Sequence, residues 1–388
     1  MPGQASSEKF NSILVLNGGS SSIKLSIFGA NDKNSAPSSW TDNQACRLMQ
    51  MESGEISELI KSAIAKSGFN IHDIKCVGHR VVHGGDKMRA AAVIDESVEA
   101  KIKELIQLAP VHNPLALKII RAAKLLLPDA LQVAVFDTAF HSDLKESAYI
   151  YALPYEWYED FGIRRFGFHG INHKYCSEMA AKILSSELEK LKIVSCHLGN
   201  GCSLAAVMDA KCVGTSMGFT PLEGLMMGAR SGSIDPGIIF YLLKEKGLSP
   251  EQVENALNNE SGLLGVSGKS LDMREIIAAK ESGNKRAKLA FDLFVRSICA
   301  GVAQMASYMN GINVLIFTAG IGEHSADLRA AVSKNLEFLG LTIDEELNKT
   351  CRSDSILSNP ESKVKVLRIA AGEDLQIYNE CLAIMASD

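Results

Sequence analysis

One design occurs twice in this chain, and it restricts the possible folds more than anything else in the sequence. Residues 192-KIVSCHLGNGCSLAAV-207 set a Gly-Asn-Gly turn between two apolar runs, and 13-ILVLNGGSSSIKLSIF-28 does the same near the start. Each reads as a tight β-hairpin. Gly199 and Gly201 are able to adopt positive φ, and lacking side chains they let backbone N–H groups close on an anion, so each turn is a candidate phosphate cradle. A single Gly-rich hairpin is more often an ordinary turn. Two related ones indicate a duplicated unit, two jaws around a nucleotide. In the first copy Ser20, Ser21 and Ser22 add hydroxyl donors and Lys24 a positive charge, the complement that a polyphosphate tail requires.

With 388 residues, 46% of them hydrophobic and 22% charged, the chain is long enough for two cores. Its formal charge of -5 supplies no basic face for nucleic acid, so phosphate must be held by local donors and the expected partners are small molecules. No run is read as reaching the ~20 apolar residues of a membrane span, and 1-MPGQASSEKF-10 lacks the basic end and apolar stretch of a signal peptide. The expectation is a cytoplasmic protein with no membrane partner. Nine cysteines without a Cys-x-x-Cys pair argue against a disulfide framework and against zinc. The spacings His79/His83 and His169/His173 lack the Glu of a zinc protease motif, so no zinc site is read there.

Helix and strand signals alternate through both halves. A helix over 57–68 opens on Ser57 and closes on Gly68, and a strand over 76–85 follows. Asp95 caps a second helix, Asn113-Pro114 starts a third, and 131-LQVAVFDTAF-140 is a buried strand that delivers Asp137 at its carboxyl end, where functional residues of open α/β sheets collect. The second half repeats the plan with helices from Asp235-Pro236 and over 285–309, strands over 312–322 and 364–374, and a last helix over 375–386. Two domains are expected, 1–140 completed by 375–388, and 141–374. Arg80 and Arg230 each stand beside glycines that clear space for a ligand, and a guanidinium makes two-pronged contacts to carboxylate or phosphate. A surface ion pair is the bland alternative for either. An unpaired carboxylate at Asp137 would be costly to bury, so it must meet a cation or donors.

The motifs 17-NGGSSSIK-24, 79-HRVVHGG-85, 135-VFDTAFH-141, 166-FGFHG-170, 197-HLGNG-201, 220-TPLEGLMMGARSG-232 and 318-TAGIGE-323 together resemble the acetate kinase family, in order over essentially the whole chain. They are also similar to the related propionate and butyrate kinases. The resemblance implies an α/β fold of two duplicated ribonuclease H-like (actin-like ATPase) domains around an interdomain cleft, and a homodimer built mainly on the second domain. It implies reversible transfer of the ATP γ-phosphate to acetate, giving ADP and acetyl phosphate, with Mg2+ (or Mn2+) as the only cofactor. A propionate kinase is the close alternative, and an actin-like or chaperone-like ATP-switch module the distant one.

By the same resemblance Arg80, Asp137, His169 and Arg230 are catalytic, and Val82, Val111, Phe168 and Pro221 join Arg80 in holding the acid. Ser20, Ser22, Lys24, His197, Leu198, Gly199, Asn200, Gly201, Asp272, Met273, Arg274, Gly320, Ile321, Gly322 and His324 hold the nucleotide. Asn17 and Glu373 are the implied metal ligands, with Asp374 as a rival to Glu373, and His112 is assigned to orientation. The chain departs from the family pattern at Ser233, where Asp or Asn is usual, at Val111, where Leu is commoner, at Gly372-Glu373-Asp374, where Asn-Glu-Glu is usual, and at His324, a frequent Asn.

Overall fold

The computed structural model describes residues 12–19, 22–29, 38–46 and 48–387. They form two compact units, one of residues up to Ala139 together with Glu373 onward, the other Phe140–Gly372. The first unit carries strands β1 (Ser12–Gly18), β2 (Ser22–Gly29), β3 (Ser39–Ala45), β4 (Ile74–Val81), β5 (Ala92–Val93) and β6 (Leu131–Phe136), in the sheet order β3-β2-β1-β4-β6-β5. The second carries β7 (Ile193–Leu198), β8 (Cys202–Met208), β9 (Lys211–Thr215), β10 (Val314–Thr318), β11 (Ser355–Ile356) and β12 (Lys365–Arg368), in the order β11-β12-β10-β7-β8-β9. Read outward from β1 or β7, the plans are the same. On one side lies an antiparallel meander. On the other lie two parallel strands and a short antiparallel edge strand. The duplication seen in the two hairpins therefore extends through both sheets.

Register follows from burial. In the first unit Leu14, Leu16, Ile23, Leu25 and Ile27 pack against Ile56, Ile60 and Ile119 on one face of the sheet, while Val81 and Phe136 meet Ile102, Leu117 and Ile120 on the other. A one-residue slip would send each set to the wrong face. Helix Ser53–Ser67 begins four residues before the expected Ser57 cap. Glu52 and Glu55 make the capping box instead, and the Ser57 hydroxyl donates to Ser53 O and Ala122 O. The helix ends on Gly68 in the left-handed region, as its sequence indicates. In the second unit helix Lys285–Tyr308 buries Ala287, Phe291, Phe294, Val295, Ile298 and Val302. By length and composition alone it is also long and apolar enough to cross a membrane, a test that a core helix of this kind passes as well.

Both cores contain neutral histidines. Burial pushes the pKa of His79, His83 and His141 down to about 4, and that of His173 well below its ordinary value. Between pH 6.5 and about 4 the unfolded chain binds protons that these folded rings refuse, so their contribution to stability is present above pH 6.5 and is lost as pH falls. Each such ring contributes a slope of up to about 1.4 kcal/mol per pH unit. The midpoint of urea unfolding is expected to drop from pH 7 to pH 5. A flat midpoint over that interval would show that the folded protein protonates these rings as easily as the unfolded chain does.

Candidate active site

In the first unit the charged residues gather at the carboxyl ends of parallel strands. Asn17 is the next-to-last residue of β1, Arg80 lies near the end of β4, and Asp137 directly follows β6. Asp137 is 1% exposed. Arg80 donates to it from Nε at 3.2 Å and from Nη2 at 2.7 Å, and donates from Nη1 to Asn17 Oδ1 at 3.1 Å. Burial lifts the Asp137 carboxyl above its ordinary pKa and the guanidinium opposes this, and the two-pronged contact makes the pair ionic at neutral pH. For Arg80 burial works against the charge, and Asp137 followed by Glu373 more than offsets it, so the guanidinium holds its proton beyond the ordinary range.

The start of helix Glu373–Met385 completes this group. Asn17 Nδ2 donates to Glu373 Oε2 at 2.9 Å, and Glu373 Oε2 lies 4.0 Å from Arg80 Nη1. Asp374 differs from its neighbour in its surroundings. Its Oδ2 accepts from Ser26 Oγ at 2.7 Å and pairs with Lys24 Nζ at 2.8 Å, and its side chain is 8% exposed against 18% for Glu373. The charge at Lys24 thus meets a carboxylate of its own unit. Register explains the meeting, because Lys24 sits opposite Asn17 across the hairpin. Ser20, expected at phosphate, lies outside the described residues, while Ser22 opens β2. Val82 is buried and Val111 is 47% exposed at the start of helix His112–Leu126.

In the second unit the Gly-Asn-Gly turn is ringed by His169, His197 and Arg230. A Cβ on Gly201 would lie 3.3 Å from Arg230 Nη1, 3.4 Å from His169 Cε1 and 3.5 Å from His169 Nε2, and one on Gly199 would lie 3.8 Å from His197 Nε2. Positive φ was one expected reason for these glycines, and a bare backbone open to an anion the other. Neither lies in the left-handed region, and a side chain at 201 would touch the flexible end of Arg230 and the His169 ring. Backbone strain sits instead on His169, at φ 56. A non-glycine residue there costs of order 1–3 kcal/mol and persists only where its surroundings hold it. Ser203, opposite His197 in the hairpin register, does so: its Oγ lies 2.9 Å from His169 Nδ1 and 2.8 Å from His173 Nε2.

The Arg230 loop is tied to the turn by Gly228 N–H donating to Asn200 O at 3.2 Å, and Arg230 Nη1 donates to Pro221 O at 3.4 Å. Burial lowers the Arg230 pKa. Ser233 keeps a hydrogen-bonding role despite its departure from the family pattern, since its Oγ accepts from Gly224 N and its N–H donates to Gly224 O, each at 3.0 Å. Phe168 is buried, with its carbonyl 3.0 Å from His141 Nε2.

The segments that carry the remaining nucleotide candidates approach the turn and the Gly228 backbone at Leu271 and Ala319. A Cβ on Gly228 would lie 3.4 Å from Leu271 O, beside Asp272, and one on Gly199 would lie 3.9 Å from the Ala319 Cβ. Asp272 caps helix Met273–Glu281 and pairs with Arg274 at 2.5 Å, and the Arg274 side chain is 89% exposed while Met273 is buried. The strand read over 312–322 ends at Thr318, and Gly320, Ile321, Gly322 and His324 lie in helix Ala319–His324. Buried Arg329 holds the end of that helix, donating to Gly322 O at 3.0 Å and Glu323 O at 2.8 Å. Leu198 is buried and Asn200 is exposed. Reading the sequence assigned no role to Ser203, Asn172 or Arg329. Only Ser203 had a signal, its inward position two residues after Gly201.

One β-sheet plan built twice, with polar residues collected where parallel strands end, places the chain among phosphotransferases with duplicated actin-like ATPase domains. Within that class it belongs to the acetate kinase family, for the Acetokinase family model matches residues 12–379. An acetate kinase of Carboxydothermus hydrogenoformans is 48% identical over 318 residues, 82% of this chain and 80% of that protein. The crystal structure of Porphyromonas gingivalis acetate kinase superposes with a TM-score of 0.88 at 37% identity, over 97% of this chain and 100% of the other. A propionate kinase from Francisella tularensis gives 0.86 at 37% identity, over 96% and 99%.

Proposed function

We propose that this protein is an acetate kinase, transferring the γ-phosphate of ATP reversibly and in line to acetate. The observation that carries the reading is Arg80. In a member of this family, a guanidinium held at a strand end by a buried aspartate is a preset partner for a carboxylate or phosphoryl oxygen. Acetate and the γ-phosphate are both anionic, and transfer requires cations and donors where charge develops. The first unit supplies Arg80, oriented by Asp137. The second supplies Arg230, the imidazoles of His169 and His197, and the N–H groups of the 199–201 turn. Asp272, Met273, Arg274 and residues 320–324 serve the nucleoside. The reading divides the chain functionally into 1–140 with 375–388, and 141–374, and the two compact units support that division.

Magnesium is the proposed cofactor. Among the described residues no group of three or more His, Cys, Asp or Glu could enclose a metal. Magnesium suits such a site, because it is held by one or two carboxylates while phosphates and water complete its shell. Asn17 and Glu373 are the oxygen donors that fit. When bound, the ion would neutralise phosphate charge. Glu373→Gln is expected to raise the magnesium concentration for half-maximal turnover by about tenfold, and an unchanged requirement would remove Glu373 from the metal site.

The proposal includes a cytoplasmic homodimer built on the second unit. Helix Pro236–Glu245 has no buried residue and exposes Ile238, Phe240 and Tyr241, a face suited to a second copy. Sedimentation at a monomer mass would refute the dimer.

The decisive assay is ATP-dependent trapping of an acyl phosphate by hydroxylamine. Acetohydroxamate should form with acetate. ATP turnover indifferent to acetate and propionate would overturn the proposal in favour of an ATP switch.

Propionate remains the second reading, because 37% identity to both an acetate and a propionate kinase does not separate them. Arginines read charge alike in both acids, so the apolar candidates Val82, Val111, Phe168 and Pro221 must discriminate. Val82→Ala should shift kcat/KM toward propionate and butyrate, and Val111→Leu back toward acetate, each by a few-fold, since one buried methylene is worth about 0.8 kcal/mol. Unchanged ratios in both variants would show that these side chains do not touch the acid.

A further inference from the structure

Asn172 lies on helix Gly170–Ile183 and is fully buried. Its Oδ1 lies 3.1 Å from the backbone N of Gly372, and its Nδ2 lies 2.9 Å from His197 Nδ1 and 3.3 Å from Thr318 Oγ1. A side-chain amide can be turned end for end, but the Gly372 N–H can only donate, so the oxygen must face it. The amide nitrogen then faces His197, and an N–H directed at a ring nitrogen requires that nitrogen to be a bare acceptor. His197 is therefore held neutral with its proton on Nε2, the ring atom that borders the Gly199 turn.

Two further features belong to this arrangement. A Cβ at position 372 would lie 2.2 Å from Tyr175 Cε1, so glycine is what lets this backbone N–H approach Asn172. His197 also stacks on His169, with ring centroids 4.0 Å apart and planes 11° from parallel. A second positive ring at that distance would oppose any charge on His169 as it meets the phosphoryl group. An amide that keeps His197 neutral removes this conflict.

We infer that Asn172 is a positioning residue for phosphoryl transfer: through the Gly372 N–H it fixes His197 as an Nε2–H donor beside the glycine turn. A donor preset in this way needs no reorientation when charge develops on the phosphate. Its consequence for turnover rests on the acetate kinase reading; the tautomer itself does not.

The test begins with the full-length protein, labelled with 15N-histidine, without nucleotide. Two-bond 1H–15N spectra report which ring nitrogen carries the proton, and the His197 signals are those lost in His197→Gln. Near neutral pH, His197 should show a bare Nδ1 and a protonated Nε2. In Asn172→Asp the carboxylate still accepts from Gly372 but draws a proton onto Nδ1, so the signature should reverse. The value of kcat should fall roughly 10- to 100-fold, with KM for ATP changed less than about threefold. A wild-type His197 protonated on Nδ1 overturns the inference, and so does a reversed ring in Asn172→Asp with kcat within about twofold of wild type. Should Asn172→Asp not fold, Asn172→Ala removes the same donor. It should mix the two tautomers and lower kcat at least about fivefold, and an unmixed tautomer or unchanged kcat again overturns the inference. A wild-type protein with the stated tautomer that makes no acyl hydroxamate would instead sink the functional reading and leave the positioning of the ring standing.

Discussion

Arg230→Ala is expected to lose about 100- to 1,000-fold in kcat/KM while unfolding close to the wild-type temperature. The side chain gives the fold little, its one described hydrogen bond being a 3.4 Å donation to Pro221 O. The guanidinium is nevertheless desolvated beside the Gly201 backbone and the His169 ring, where a charged donor counts for most when phosphate charge spreads. Lys at this position should recover only part of the loss, because an ammonium lacks the planar fork. Kinetics and thermal unfolding of the same preparation separate the two effects. Near-normal kcat/KM in a folded Arg230→Ala would take the residue out of the reaction.

Arg80→Ala should behave differently, losing both turnover and stability. Its partner Asp137 would remain buried without a cation, and breaking a buried pair in this way costs about 3–5 kcal/mol. Asn17 Oδ1 would lose its donor as well. The double variant Arg80→Ala/Asp137→Asn removes the stranded charge and should regain much of the stability while staying inactive. That separation is the signature of an arginine with two duties, binding an anion and neutralising the aspartate that orients it. Equal stability of Arg80→Ala and wild type would mean that water or another cation reaches Asp137. Wild-type turnover in the double variant would remove Arg80 from the substrate site.

Sequence alone determined the duplicated plan, the hairpins, the strand that delivers Asp137, and the Asp95, Asp235 and Gly68 ends of helices. Each of these depends on interactions within a few residues or on an apolar period, and such signals are written along the chain. The reason for Gly199 and Gly201 was not of that kind. Local reading allows such glycines positive φ, whereas neither adopts it, the residues beside Gly201 are Arg230 and His169, distant in sequence, and the strained backbone falls on His169. Between two adjacent acids, nothing local tells Glu373 from Asp374. Tertiary structure gives them different neighbours, setting Lys24 and Ser26, roughly 350 positions earlier in the chain, on Asp374 Oδ2, and Asn17 and Arg80 beside Glu373 Oε2, while the proposal of Glu373 as metal carboxylate rests on the family motif. The tautomer of His197 was equally hidden, because it is decided by an amide on one helix and a backbone N–H from far along the chain. Composition and spacing specify which groups are available; which of them are already satisfied by one another depends on neighbours that only the folded chain brings within 3 Å.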